Sequence, residues 1–398
     1  MTDSPRRPRI VVASRLYEPE ASAAAFRIVA LTRALVGSAE VTVLTTKAPA
    51  EAGVPADAPG VSVSRAPVLR DRTGAIRGYL QYASFDAPLL FRLLATRADV
   101  VVAEAPPTTG LVSLWAARVR RARFVYYPGD VWTDGVIAMG ASRPVVGLMR
   151  WIESRVLASA DAVLAVSPEV AERLVALGAP RDRIIDVGNG IDTDVFAPDA
   201  EPHTTAQPYF VYTGTMSEWQ RPEVFVEALA ALGEAGSDVE LRFFGAGTSE
   251  AAVRSAADRL TPGRVHLGGV VPPGDSARWI RGAVAALVSI VPDVGYDFAR
   301  PTKTYAAAAV GTPVLYAGAR AGAEVVADAG LGEVAAFDAE SIAAAMRRLI
   351  EAHADGTSAV LRPARADWAR RKVSLRAVGD AAAHAVLATL PGRATPDR

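Results

Sequence analysis

Short runs of β-branched and aromatic residues alternate with longer helical patterns from one end of this chain to the other, and few folds accommodate that alternation. It is the signature of βαβ units, whose parallel strands are buried on both faces and so read as near-continuous apolar runs. Residues 10–14, 41–46, 61–66, 100–104, 124–127 and 162–166 read as one series of strands. A second series follows at 209–213, 239–244, 265–267, 284–291, 313–317 and 333–337. Helices lie between them; in 341–352, Ile342, Ala345, Met346, Leu349 and Ile350 share one face. Residues 196–208 break the rhythm with Pro198, Pro202 and Pro208 and no periodicity, as an interdomain linker does. The expectation is an α/β protein of two doubly wound, Rossmann-like domains facing a central cleft. The first spans 1–197, the linker 198–208 and the second 209–373, and a last helix at about 374–390 crosses back onto the first domain.

Composition narrows the function. The 398 residues carry 43 basic and 43 acidic side chains, which argues against a chain whose main work is gripping nucleic acid or an anionic membrane, since both need a large positive field, and leaves only local basic patches open. There is no cysteine, hence no disulfide framework, thiolate nucleophile or Cys-based metal site. Residues 1–9 are followed by only a short apolar run, 10–13, so no signal peptide is expected. The longest uncharged stretch, 304–319, is broken by Gly311, Pro313 and Gly318, so no transmembrane helix is expected either. A cytoplasmic protein fits. Arg118, Arg120, Arg121 and Arg123, with the apolar stretch 145–157 around Trp151, leave peripheral contact with the inner face of a membrane open, although both read more simply as helix surface and core. Oligomeric state is unconstrained.

In open α/β sheets ligands bind beyond the carboxyl ends of the strands. The first strand runs through Ser14 into Arg15, Leu16, Tyr17 and Glu18 without the G-x-G-x-x-G glycines, which disfavours an NAD-type site. Glu104 ends one strand ahead of Pro106 and Pro107, and Asp130 follows another behind Pro128 and Gly129, with Trp132 close by. Either carboxylate suits the orientation or deprotonation of a hydroxyl; for Glu104 a helix cap or an arginine partner is the simpler role. Gly188, Asn189 and Gly190 permit a tight turn, which explains them structurally. Lys303 is one of only three lysines, with Lys47 and Lys372, and it sits beside Thr304 where a helix begins. A cation there opposes the helix dipole, which makes sense if an anion binds.

Taken in order, these residues resemble a family. Ser167 and Pro168, then Gly188, Asn189, Gly190, Ile191 and Asp192 with Thr193, Asp194, Phe196 and Pro198, resemble the end of the N-terminal domain of retaining nucleotide-sugar glycosyltransferases of the GT-B fold, family 4 type. Gly214, then Gly245 to Gly247, then Pro301, Thr302 and Lys303, then Gly311 to Val314 and Glu324 follow in that family's order. Asp130, Val131 and Trp132 resemble its branch for polysaccharide and glycoconjugate assembly.

The resemblance implies transfer of a sugar from a nucleotide diphosphate to a hydroxyl acceptor, with Asp130 and Lys303 in catalysis. Gly214, Thr215, Arg221, Gly245, Gly247, Lys303, Thr304 and Glu324 would lie on the donor side, and Glu18, Glu104 and Trp132 on the acceptor side. No cofactor or metal is expected, since cations and backbone donors can meet the leaving diphosphate. The chain departs from the family at several positions. Thr215 follows Gly214 where relatives have a basic residue, Gln220 stands in place of a lysine, and Arg221 is displaced by one. Ala306 occupies the place of one of two paired glutamates, with Asp297 and Phe298 near the place of the other. All four histidines, His203, His266, His353 and His384, lie beyond the first domain, so Asp130 is the nearest substitute for a family histidine. A nucleotide-sugar epimerase of related fold and a catalytically degenerate partner protein are the alternatives.

Overall fold

The computed structural model describes residues 6–391 except 21, 50–57, 72–75, 77, 139 and 234–237. Among these, the chain divides into two compact units, residues 1–189 with 375–398, and 190–374.

The first unit runs β1 (Arg9–Ala13), α1 (Ala23–Leu35), β2 (Glu40–Thr46), β3 (Val61–Ala66), α2 (Tyr79–Ala95), β4 (Val100–Glu104), α3 (Pro107–Arg120), β5 (Arg123–Tyr127), α4 (Trp132–Ala138), α5 (Arg143–Ser159), β6 (Ala162–Ala165), α6 (Pro168–Ala176) and β7 (Ile184–Asp186). Its sheet has the order β3-β2-β1-β4-β5-β6-β7, all parallel. Ile10 lies opposite Val41 on one side and Val100 on the other, so β1 is central and fully covered. The strand order reverses direction between β1 and β4, which makes the edge beyond Ala13 and Glu104 the place for a ligand.

The second unit runs β8 (Tyr209–Thr213), α7 (Val224–Ala231), β9 (Glu240–Phe244), α8 (Glu250–Leu260), β10 (Val265–Leu267), α9 (Pro273–Gly282), β11 (Ala285–Ile290), α10 (Thr302–Ala309), β12 (Val314–Gly318), α11 (Arg320–Asp328), β13 (Gly332–Ala335), α12 (Ala339–Ala354), α13 (Thr357–Val360) and α14 (Arg362–Lys372). Its parallel sheet has the order β10-β9-β8-β11-β12-β13, with the reversal between β8 and β11.

α15 (Leu375–Ala388) belongs to the first unit, where it lies along α1 and adds Ala382, Ala383, Ala385 and Val386 to the core. The helices approach so closely that a Cβ at Gly379 would stand 2.5 Å from the Ala30 carbonyl oxygen, which only glycine tolerates.

The first unit ends at Asn189, so residues 190–197 fall in the second unit. The proline-rich stretch 198–208 is strapped onto α9: Arg281 donates to the Pro198 carbonyl at 2.8 Å, Arg278 to that of Glu201 at 3.2 Å, and the His203 ring packs on Trp279. Proline density marked the segment's lack of periodicity; the arginines of α9 give it a fixed course.

Local chemistry explains the element ends. Ser22 and Ser167 cap α1 and α6 by accepting from the Ala25 and Val170 amides. Asp192 Oδ1 accepts from the Asp194 and Val195 amides, and Gly188 has φ +78°, so the stretch after β7 folds as a self-bonded turn.

Candidate functional site

The second unit's switch point is built by three loops. Beyond β8, Gly214 has φ +100° and its amide donates to the Phe244 carbonyl at 2.7 Å; beyond β9, Gly245 has φ +139°. A Cβ on Gly245 would stand 1.9 Å from the Gly214 oxygen, and one on Gly247 2.1 Å from the Met216 oxygen. The glycines therefore let these two loops pack backbone against backbone, a role additional to the approach of a ligand.

Lys303, in the first turn of α10, extends into the β8 loop. Its Nζ donates to the Thr215 carbonyl at 2.7 Å and lies 3.7 Å from the centroid of the Tyr212 ring, while Cε stands 3.4 Å from where a Gly214 Cβ would be. A side chain at Gly214 would only touch the lysine; it is the φ of +100° that reserves the position for glycine. No carboxylate pairs with Lys303 among the described residues, and desolvation drives its pKa well below the ordinary lysine range. The Tyr212 face and the Thr215 carbonyl position the ammonium where the fold binds ligands, while burial disfavours its charge until an anion arrives.

Gln220 organises this loop. Its Oε1 lies 2.9 Å from the Tyr212 hydroxyl and accepts from the Ser217 hydroxyl at 3.0 Å, and its own carbonyl accepts from Ser289 at 2.6 Å. The residue noted in the sequence only as a departure thus braces Tyr212 and Ser217, while the Tyr212 hydroxyl itself donates to the Thr215 carbonyl at 2.7 Å. Trp219 from this loop stacks on Tyr296 from the loop after β11, with centroids 4.8 Å apart and planes at 16°.

The other donor-side candidates are placed less centrally. Arg221 has φ +45°, lies 3.6 Å from Glu223 and stacks over Phe337, so its guanidinium is engaged within its own surroundings. Glu324, in the second turn of α11, accepts from Arg320 at 2.6 Å. Thr304 is buried with a hydroxyl that finds no partner among the described residues. Ala306 faces the apolar core, where a carboxylate would be costly, so glutamate is not interchangeable with alanine there.

The first unit's switch point gathers charges of both signs. Glu104 is buried, with Oε1 3.9 Å from Arg27 Nη2 and Oε2 3.4 Å from the Ser14 hydroxyl. Burial lifts its pKa to about 7, against the pull of Arg15 and Arg27 and helped by the negative charge of Asp130. Arg27 presses against the next loop so tightly that a Cβ on Gly129 would stand 2.1 Å from its Nη2. Asp130 reaches solvent yet is crowded by protein, which raises its pKa, while Arg27 pulls it down. Tyr127 is pushed up to about 12 by burial.

Glu153 of α5, fully buried, accepts from the Trp132 and Thr133 amides at 2.9 and 2.8 Å and so caps α4, fixing the loop that presents Asp130. Arg15 is flanked by Tyr82 and Trp132, which meet edge to face. Glu104, Asp130 and Trp132 thus come to one edge. Glu18, in the loop beyond β1, pairs with Arg33 of α1 at 3.4 Å. Arg15, Arg27, Glu153, Tyr212, Trp219 and Tyr296 were not singled out by sequence reasoning. Each acts through a partner from a distant element; the clue nearest to hand was Gly129, whose lack of a side chain admits Arg27.

No group of three or more His, Asp or Glu side chains that could hold a metal occurs among the described residues. No helix among them is long and apolar enough to cross a membrane.

Residues 22–190 match the glycosyl transferase 4-like domain, and residues 207–352 match glycosyl transferases group 1. Two curated relatives are a D-inositol 3-phosphate glycosyltransferase of Xylanimonas cellulosilytica, 32% identical over 42% of this chain and 42% of its own, and D-inositol 3-phosphate glycosyltransferase 1 of Catenulispora acidiphila, 30% identical over 46% of each. The chain thus spans under half the length of the curated relatives it matches. Among solved structures, Anabaena HepE in complex with UDP-glucose superposes with TM-score 0.67 at 14% identity, over 96% of this chain and 100% of that one. WaaG, a glycosyltransferase involved in lipopolysaccharide biosynthesis, gives TM-score 0.67 at 16% identity over the same shares, and a glycosyltransferase from Rickettsia africae gives 0.71 at 12% over 97% and 100%. These likenesses establish the fold, and the two domain matches the family: the chain belongs to the glycosyltransferases that join a 4-like N-terminal domain to a group 1 C-terminal domain.

Proposed function

We propose that this glycosyltransferase is a cytoplasmic, retaining enzyme that takes a sugar from a nucleotide diphosphate and transfers it to a hydroxyl of a glycan, a lipid-linked acceptor or a natural-product scaffold. The observation that carries the reading is Lys303, a cation without a carboxylate partner among the described residues, held on Tyr212 and Thr215 at the second unit's switch point. Breaking the glycosidic bond leaves growing negative charge on the diphosphate, and a preorganised ammonium stabilises it as it forms. Cations and loop amides supply that stabilisation in this reading, without a cofactor or metal. The solved HepE complex contains UDP-glucose, which supports a nucleotide-sugar donor for a chain of this fold.

Within the second unit, the glycine-lined loops of Gly214, Thr215, Gly245 and Gly247 admit the donor, Lys303 meets its phosphates, and Thr304, Arg221 and Glu324 complete the surroundings. In the first unit, Asp130 orients the acceptor hydroxyl, Glu104 and Arg27 hold Asp130's loop, and Trp132 walls the acceptor's place. Retention follows if the departing diphosphate takes the acceptor's proton as the new bond forms on the same face, since no protein nucleophile is then needed.

The experiment is to incubate the enzyme with nucleotide sugars, with and without hydroxyl acceptors, and to analyse products by mass spectrometry and by the anomeric coupling of the new bond. A retained-configuration glycoside formed only with acceptor is the expected result. Conversion of the nucleotide sugar without acceptor would replace the reading with epimerisation. No turnover of any donor would leave a degenerate partner protein.

A further inference from the structure

The connections that build the first unit's sheet place its helices in two layers. β1 and β4 lead their crossovers in opposite directions along the sheet, so α1 and α15 cover one face and α2, α3 and α5 the other. α2 packs beside α3, and α3 beside α5. The outward surface of this second layer is unlike that of a solvated helix. Leu80 and Phe91 of α2, Trp115 and Val119 of α3, and Leu148 and Trp151 of α5 are 59 to 74% exposed. The outer stripe of α2 continues between its two large residues with exposed Ala83, Ala87 and Pro88 and carries no charge.

The charges on these helices are equally one-sided. Their acids, Asp86 and Glu153, are buried, whereas their exposed charged residues, Arg118, Arg120, Arg143, Arg150 and Arg155, are all arginine. None of the five forms an ion pair with a described residue. A chain balanced at 43 basic and 43 acidic groups has thus left one helical layer with protruding rings and unpaired guanidiniums. Water solvates such a surface poorly. The interface of an anionic bilayer suits it: tryptophan and phenylalanine enter the headgroup boundary while arginines meet lipid phosphates, each basic residue adding about 1 kcal/mol near a negative surface.

We propose that the α2–α3–α5 face docks the first unit on an anionic phospholipid bilayer. A surface of this composition needs both terms, because scattered apolar side chains alone give marginal and reversible membrane binding. Docking is independent of catalysis, and its test does not use activity.

The test is co-sedimentation with vesicles of phosphatidylcholine alone and of phosphatidylcholine with an equal amount of phosphatidylglycerol. Binding to the anionic vesicles, weakened by salt, is expected, with little binding to the neutral ones. Trp115→Ser with Trp151→Ser, and separately Arg118→Ser with Arg120→Ser, should each weaken partitioning by about tenfold or more. The substituted positions are exposed, so thermal unfolding should be unchanged. Brominated lipid should quench the fluorescence of the wild-type protein, a reading that holds even if a variant fails to fold. Failure to bind anionic vesicles, variants that bind as well as the wild type, or a dimer in gel filtration that the tryptophan variant dissociates would overturn the proposal; the last would make the face a contact between copies of the chain.

Discussion

The two switch points solve opposite electrostatic problems. In the first unit Glu104 lies within reach of Arg15 and Arg27, and Asp130 shares Arg27, so acid and base are balanced before any ligand arrives. In the second unit Lys303 faces an aromatic ring and a carbonyl, with no carboxylate to neutralise it among the described residues. A balanced cluster sets geometry and suits a neutral partner such as a hydroxyl. An unbalanced, desolvated cation is unfavourable on its own and becomes favourable when an anion binds. On the proposed reading the difference assigns the diphosphate to the second unit and the hydroxyl to the first, and it can be tested from both sides.

The largest effect should come from removing the unbalanced charge. Lys303→Met is expected to lower kcat by about 10²- to 10³-fold, the range found for loss of one preorganised donor to a developing oxyanion. Release of nucleoside diphosphate measures it, with circular dichroism verifying the fold; turnover within a factor of about two of wild type would remove Lys303 from catalysis.

The balanced cluster should instead reveal itself in stability. Burial raises Glu104 from 4.5 to about 7, so between those values the folded state keeps a proton that the unfolded chain has released. Folding stability therefore falls as pH rises through that window, by on the order of 3 kcal/mol. Glu104→Gln should flatten this slope in urea denaturation followed from about pH 5 to about pH 8. A variant that keeps the full slope would assign it elsewhere.

How much of this was legible in the sequence follows from how each feature is written there. The alternation of runs located the strands of both sheets except β7, whose three residues, Ile184–Asp186, are only partly buried and carry no apolar run. Lys303 was legible because lysine is rare in this chain and this one stands at a helix start. Its setting was not: Tyr212 reads as an ordinary strand residue until the β8 loop folds the Thr215 carbonyl back over it. Gln220 read as a substitution and proves to be the loop's internal brace. Glu153 lies 21 residues from the Trp132 amide it caps, in a helix whose pattern explains it as one more position on the buried side.

Asp130→Asn sharpens the comparison further. It should lower kcat by about a hundredfold, at the low end of acid–base contributions, while leaving donor affinity unchanged. Steady-state kinetics with acceptor varied, and calorimetry with donor alone, separate the two; a loss of donor affinity would contradict the division of labour.

The smallest effect is expected at Glu324. Its pair with Arg320 is largely exposed, so Glu324→Gln should leave stability unchanged in thermal unfolding. Loss of a hydrogen bond to the donor should raise its KM by about tenfold or less. An unchanged KM would reduce Glu324 to a helix-surface partner of Arg320.

The central claim is met most directly by calorimetric titration of UDP, GDP, ADP and dTDP into the wild-type protein and into Lys303→Met. At least one nucleotide should bind the wild type, more weakly as the pH rises and the ammonium loses its proton, and should bind the variant at least about tenfold more weakly. Equal affinity for the two proteins, or no binding of any nucleotide to either, would contradict the assignment of the second unit's switch point as the diphosphate site.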